Sequence, residues 1–265
     1  MTRSVWRNLY RTAAAAALIA VVYFRRNCGT EMVTFRGFGI FNVPMEHPGT
    51  ALGWFGLLQE KRYVGLVLFD LHDLVNYALL GLIFLALYVA LQRTRPAAVT
   101  IGAVCGFLGI GTYLASNQTL AMLSLSEKYA AATSETQRAT LLAAGEALLA
   151  IHDPGGIVQG TGITAALFLV LLGGLLFSIA MLSSDLFGRA AAVTGIVANG
   201  LALTSFTSLA FAPAPYALVL VAIPTVLSAP FRVIWYVLIA LRLLRLGRRE
   251  AGSSAGTPIA SQELT

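Results

Sequence analysis

Charge is scarce in this sequence. Of its 265 residues only 11% are Asp, Glu, Lys or Arg, against about a quarter in a water-soluble domain. That shortage excludes a soluble globular domain, a disordered chain and a surface-charged coiled coil alike. Cysteine is nearly absent too, with 2 residues, Cys28 and Cys105, which rules out a disulfide scaffold. The 3 histidines are His47, His72 and His152. None stands in a His-x-x-x-His or Glu-x-x-His pair, so no helix offers a metal or haem motif. No glycine loop of the phosphate-cradling kind is present. The single Gly-x-Ser-x-Gly run, Gly252 to Gly256, lies in a polar tail that lacks the strand, sharp turn and helix a nucleophile elbow needs. Catalytic, cofactor and metal residues are therefore expected to be absent, and the protein is not expected to be an enzyme.

Apolar residues fill the space that charge leaves, at 57% of the chain. About 20 apolar residues of helix cross a bilayer, and five stretches meet that length: 73–91, 97–115, 157–182, 190–211 and 216–241. The first extends back to Tyr63 because Tyr63 to Phe69 is apolar as well, giving a span of 63–91. A sixth segment, 12–24, is shorter, with Arg11 and Arg25 placed to snorkel at its ends. It is read as a retained helix rather than a signal peptide. Arg25-Arg26-Asn27-Cys28 offers neither a small-x-small cleavage site nor a lipobox-like approach to the cysteine. The expected fold is thus all-α, a polytopic transmembrane bundle of about six spans in a single domain, 1–249, followed by a disordered cytoplasmic tail, 250–265.

Orientation follows from the basic residues. With both termini cytoplasmic, the inner side carries ten arginines (Arg3, Arg7, Arg11, Arg93, Arg95, Arg189, Arg242, Arg245, Arg248, Arg249) against the three acids Asp185, Glu250 and Glu263. The outer side balances seven basic against seven acidic residues. The net charge of +6 is therefore a topology signal, and no nucleic-acid partner is expected. Two long connections, 25–62 and 116–156, fall on the outer side. In the second, Ser134-Glu135-Thr136-Gln137 reads as a capping box. Leu141, Leu142, Leu148 and Leu149 then form an apolar stripe filled by Ala144, which Gly145 weakens. Met122, Leu125 and Tyr129 share a face just before it. Amphipathic helices capping the outer face account for both patterns.

Polar residues inside an apolar span are costly and normally face protein or water. The densest group is Asp70, His72, Asp73, Asn76 and Tyr77, at the outer end of the second span. On a continuous helix Asp73 shares a face with Asp70, Asn76 and Tyr77, at offsets of three and four. The expected partner for Asp73 is Arg232, which follows Pro224 and Pro230 in the sixth span. A helix beginning near Tyr63 puts the pair at mid-membrane; one beginning at Asp73 itself keeps the two apart. A clasp of this kind either fixes helix register or opens a polar vestibule.

Three runs carry a resemblance: Tyr113 to Asn117 through Leu125 to Thr133, Leu142 to Ala150, and Ala180-Met181-Leu182 before Phe187-Gly188-Arg189. In their order the chain, from about Leu52 to Gly247, resembles a family of uncharacterised bacterial membrane proteins that share a domain of unknown function. The resemblance implies a bacterial inner membrane and a six-helix bundle, and brings no activity and no functional residue. The expectation for function is an interaction or accessory scaffold, with a membrane-protein partner or a second copy of the chain beside the lipid bilayer. The alternative is a small-solute or proton-coupled transporter that uses the polar cluster.

Overall fold

A computed structural model describes residues 3–27, 47–154, 160–211 and 214–254. Among the described residues the chain forms ten α-helices and no strand: α1 (Arg3–Asn27), α2 (Ala51–Glu60), α3 (Arg62–Leu68), α4 (Leu71–Leu91), α5 (Pro96–Ser116), α6 (Thr119–Ala131), α7 (Glu135–Leu149), α8 (Thr161–Met181), α9 (Arg189–Phe211) and α10 (Ala214–Ser254). The stretches Leu71–Leu91, Pro96–Ala131, Thr161–Met181 and Val219–Arg248 are long and apolar enough to cross a bilayer. The chain is a helical membrane protein. The apolar segments 12–24 and 190–211 are helical within α1 and α9, but neither is among those four stretches.

Two expectations need correction. The span drawn over 63–91 is not one helix: α3 ends at Leu68, and α4 starts afresh at Leu71. The tail drawn as disordered from 250 begins as helix, because α10 runs on to Ser254. Residues 255–265, most of the connection between α1 and α2 (with Cys28), and 155–159 lie outside the described residues.

The long helices pack as neighbours: α5 against α8, α9 against α10, and α1 against α10, with α4 between α1 and α5. Inside a bilayer no hydrophobic force draws helices together, so close association depends on small residues that let backbones approach. The α5–α8 contact is of this kind. A Cβ at Gly109 would stand 2.7 Å from the Ala166 carbonyl oxygen, and one at Gly173 would stand 2.7 Å from that of Gly102. One apolar core fills the bundle, with Phe84, Leu87, Phe177, Trp235 and Ile239 among its fully buried side chains.

A second core holds the short helices α2, α3, α6 and α7 together around Trp54, Phe55, Phe69 and Met122. Leu142, Leu148 and Leu149 of the stripe pack on it and Leu141 does not, while Leu125 and Tyr129 pack there too. Ser134 caps α7 by accepting from the Gln137 amide at 3.2 Å, and Gln137 Oε1 accepts from the Thr133 amide at 3.4 Å. Gly145 is not a weak point. It is the buried residue of α7 on which α2 rests: a Cβ there would stand 2.8 Å from Ala51 Cβ and 2.8 Å from the tip of the Phe55 ring. Ala144, expected to fill the stripe, is exposed. Next to Gly145, Glu146 accepts from the Ala51 amide at 2.8 Å and so caps α2 from another helix. Gly145→Val is expected to lift α7 from α2 at a cost of about 1–3 kcal/mol. The measurement is proteolysis at the 132–134 turn, which becomes faster in the variant.

Candidate functional site

The break between α3 and α4 shapes the polar region. Asp70 has φ 65° and ψ 25°, and is the one non-glycine residue with positive φ among those described. Asp tolerates this conformation better than most residues. The turn takes carbonyls out of the helical ladder, and a backbone carbonyl shielded from water needs a hydrogen-bond partner. Three carbonyls at the break have side-chain partners. Val67 O is bonded by His72 Nδ1 at 3.0 Å, Phe69 O accepts from the buried Thr119 hydroxyl, and Asp70 O accepts from Asn117 Nδ2 at 3.4 Å. Asn117 and Thr119 thus hold the break from the start of the next segment.

His152, after the end of α7, completes the arrangement. It is 1% exposed, its Nδ1 accepts from the Gln118 amide at 3.0 Å, and its Nε2 lies 3.2 Å from Asp70 Oδ2. An amide can only donate, so the hydrogen of the neutral ring sits on Nε2 and is donated to Asp70. His72 is oriented the other way round. A carbonyl can only accept, so its Nδ1 carries hydrogen, and Nε2 faces Asp73 Oδ1 at 3.6 Å. Asp73 Oδ2 accepts from the Tyr113 hydroxyl at 3.2 Å, and the Tyr113 ring stacks on Tyr77 with centroids 3.7 Å apart. The ligand atoms of Asp70, His72 and Asp73 fall within 4.8 Å of one another, which makes these three the residues able to hold a metal ion among those described. Motif spacing gave no hint of such a set.

Below the break, α4, α8, α9 and α10 line an open cavity of about 270 Å³. Asp73, Asn76 and Tyr77 line it from α4, Asn199 from α9, and Thr225, Ser228 and Arg232 from α10. Leu80, Phe84, Val170 and Trp235 supply apolar wall. Asn199 is held there by donating from Nδ2 to Gly195 O at 2.8 Å. It sits over Gly174, where a Cβ would stand 2.7 Å from its Oδ1. The Thr225 hydroxyl joins α10 to α9 through Ser205 Oγ at 3.0 Å.

The sequence groups six residues, and the structure divides them. Asp73, Asn76, Tyr77 and Arg232 meet at the cavity, while Asp70 and His72 stay at the break. Asp70 does not share a helix face with Asp73, because it precedes α4 in a left-handed turn. Helix α4 starts only two residues before Asp73, an arrangement expected to keep Asp73 and Arg232 apart. They nevertheless face one space, because the cavity lining follows α4 from Asp73 to Phe84, a rise of about 16 Å. Sequence reasoning missed His152, Tyr113 and Asn199. Of these only Asn199 carried a signal, as a lone amide within an apolar stretch.

Neither a protein family, nor a curated protein, nor a solved structure matches this chain. The site must therefore be read from its own chemistry. It offers one charge of each sign, two amides, hydroxyls and an aromatic wall. A volume of about 270 Å³ equals roughly nine waters at ~30 Å³ each. This is space for a small polar or zwitterionic molecule.

Proposed function

We propose that the protein binds a small polar solute in this cavity and passes it across a bacterial inner membrane. The bundle then has six spans, α1, α4, α5, α8, α9 and α10. Both termini are cytoplasmic, and α2, α3, α6 and α7 form a cap on the outer face. The observation that carries the reading is the convergence of Asp73, Asn76, Tyr77, Asn199 and Arg232, from three helices, on one cavity. A clasp that served register alone has no need of such a space. The accessory role that the sequence favours is the weaker reading for that reason.

Proteoliposome swelling tests the proposal. Small neutral and zwitterionic solutes, such as glycerol, urea and glycine, are expected to enter vesicles containing the protein faster than empty ones. Ala202→Phe, which places a ring in the cavity from a lining position, is expected to remove the difference. Swelling equal to that of empty vesicles for every solute sinks the transport reading and returns the accessory role to first place.

A further inference from the structure

A second recess lies at the opposite end of the bundle, where α1 crosses α10. Arg7 and Arg11, one turn apart on α1, line it together with Leu244, Gly247 and Arg248 of α10, and its volume is about 240 Å³. Gly247 allows the crossing to be this close. A Cβ there would stand 3.2 Å from Arg11 Cγ and 3.5 Å from the Arg7 carbonyl oxygen. The approach brings three guanidinium groups to one recess. Among the described residues none of the three forms an ion pair with a carboxylate. Arg7 Nε is buried and donates to no protein atom.

Two physical costs meet here. Like charges held around one recess repel, and a buried donor without an acceptor loses the hydrogen bond it had in water. An anion with several acceptor oxygens removes both costs at once. Guanidinium presents planar, paired donors that match a tetrahedral oxyanion. We propose that this recess binds a phosphate group, with the half-buried Arg7, whose Nε is buried, as its anchor and the exposed Arg11 and Arg248 at its rim. In the topology proposed above the recess lies on the cytoplasmic side, at the height of the inner-leaflet headgroups, where anionic lipid is available. A soluble phosphate presents the same chemistry, so the two sources are separated by experiment. The inference stands independently of the solute cavity, since the two sites share no residue.

The test is thermal unfolding of the purified full chain in a neutral detergent. Phosphatidylglycerol, phosphatidylcholine or inorganic phosphate is added, and bound lipid is counted by native mass spectrometry. Phosphatidylglycerol is expected to raise the unfolding temperature and to remain bound, while phosphatidylcholine leaves both unchanged. A matching rise with inorganic phosphate means that the recess takes the free ion as well. A rise with phosphatidylglycerol alone means that it reads a lipid headgroup. Either result supports a phosphate site. Arg7→Gln is expected to weaken binding about tenfold or more, and the triple change with Arg11→Gln and Arg248→Gln to abolish it. Arg245→Gln, on α10 but outside the recess, is expected to leave binding unchanged. Should the triple variant fail to fold, Arg7→Lys serves in its place; it keeps the charge, loses the Nε donor, and is expected to bind more weakly. Equal stabilisation of wild type and Arg7→Gln, or none by any phosphate, overturns the proposal.

Discussion

Gly173→Leu is expected to unfold the bundle or to lower its stability by more than about 3 kcal/mol. The reason is what the new side chain meets. A Cβ at this position would stand 2.7 Å from the Gly102 carbonyl oxygen and 3.0 Å from the Gly106 amide nitrogen. Both are backbone atoms of α5, and backbone inside a helix has no rotamer by which to yield. The helices must part, and α5 and α8 lose their shared face. Gly111→Leu is the control, because a Cβ there has no atom within 4 Å, and its unfolding temperature is expected to stay close to that of wild type. Thermal unfolding in detergent decides between them. Equal transitions for the two variants contradict the close-packed account of α5 and α8.

The second large effect concerns charge. Asp73→Ala and Arg232→Met, at half-buried positions lining the cavity, are each expected to destabilise the protein by about 1.5–3 kcal/mol through loss of charge-assisted hydrogen bonding. The double variant is expected to recover at least about 1 kcal/mol relative to the sum of the single changes. Asp73 also accepts from Tyr113, but that loss enters the single and the double variant equally and cancels in the cycle. Recovery means that the two charges act on each other within the cavity they line. Strict additivity means that they do not, and the clasp fails.

Much of this protein is readable from its residues, for a physical reason. A bilayer imposes a length and an apolar composition on every crossing, so the long helices α4, α5 and α8 lie where the apolar runs lie. The four residues at the cavity were legible as polar groups too costly to leave in lipid. The break at Asp70 was not legible. Tyr63 to Phe69 is apolar and continues the pattern of the helix that follows, and only a left-handed Asp ends it. That conformation is stabilised by Thr119, Asn117 and His152, between 47 and 82 positions away, where local pattern carries no information. Gly145 was misread for a related reason. Intrinsic propensity counts a helical glycine as a cost, while its use here is set by Ala51 and Phe55 on another helix.

The central claim is that water and small solutes reach the polar residues of the cavity. Thiol accessibility at position 76 tests it most directly, using Asn76→Cys in a background with Cys28 and Cys105 replaced, and a membrane-impermeant reagent added from the outer side. Folding is checked by the unfolding transition of the same sample. The account predicts labelling at a rate near that of an exposed cap position such as Gln137, slowed by Ala202→Phe. Complete protection of position 76 in well-folded protein, with the cap position labelled, contradicts it and leaves a dry, structural polar core.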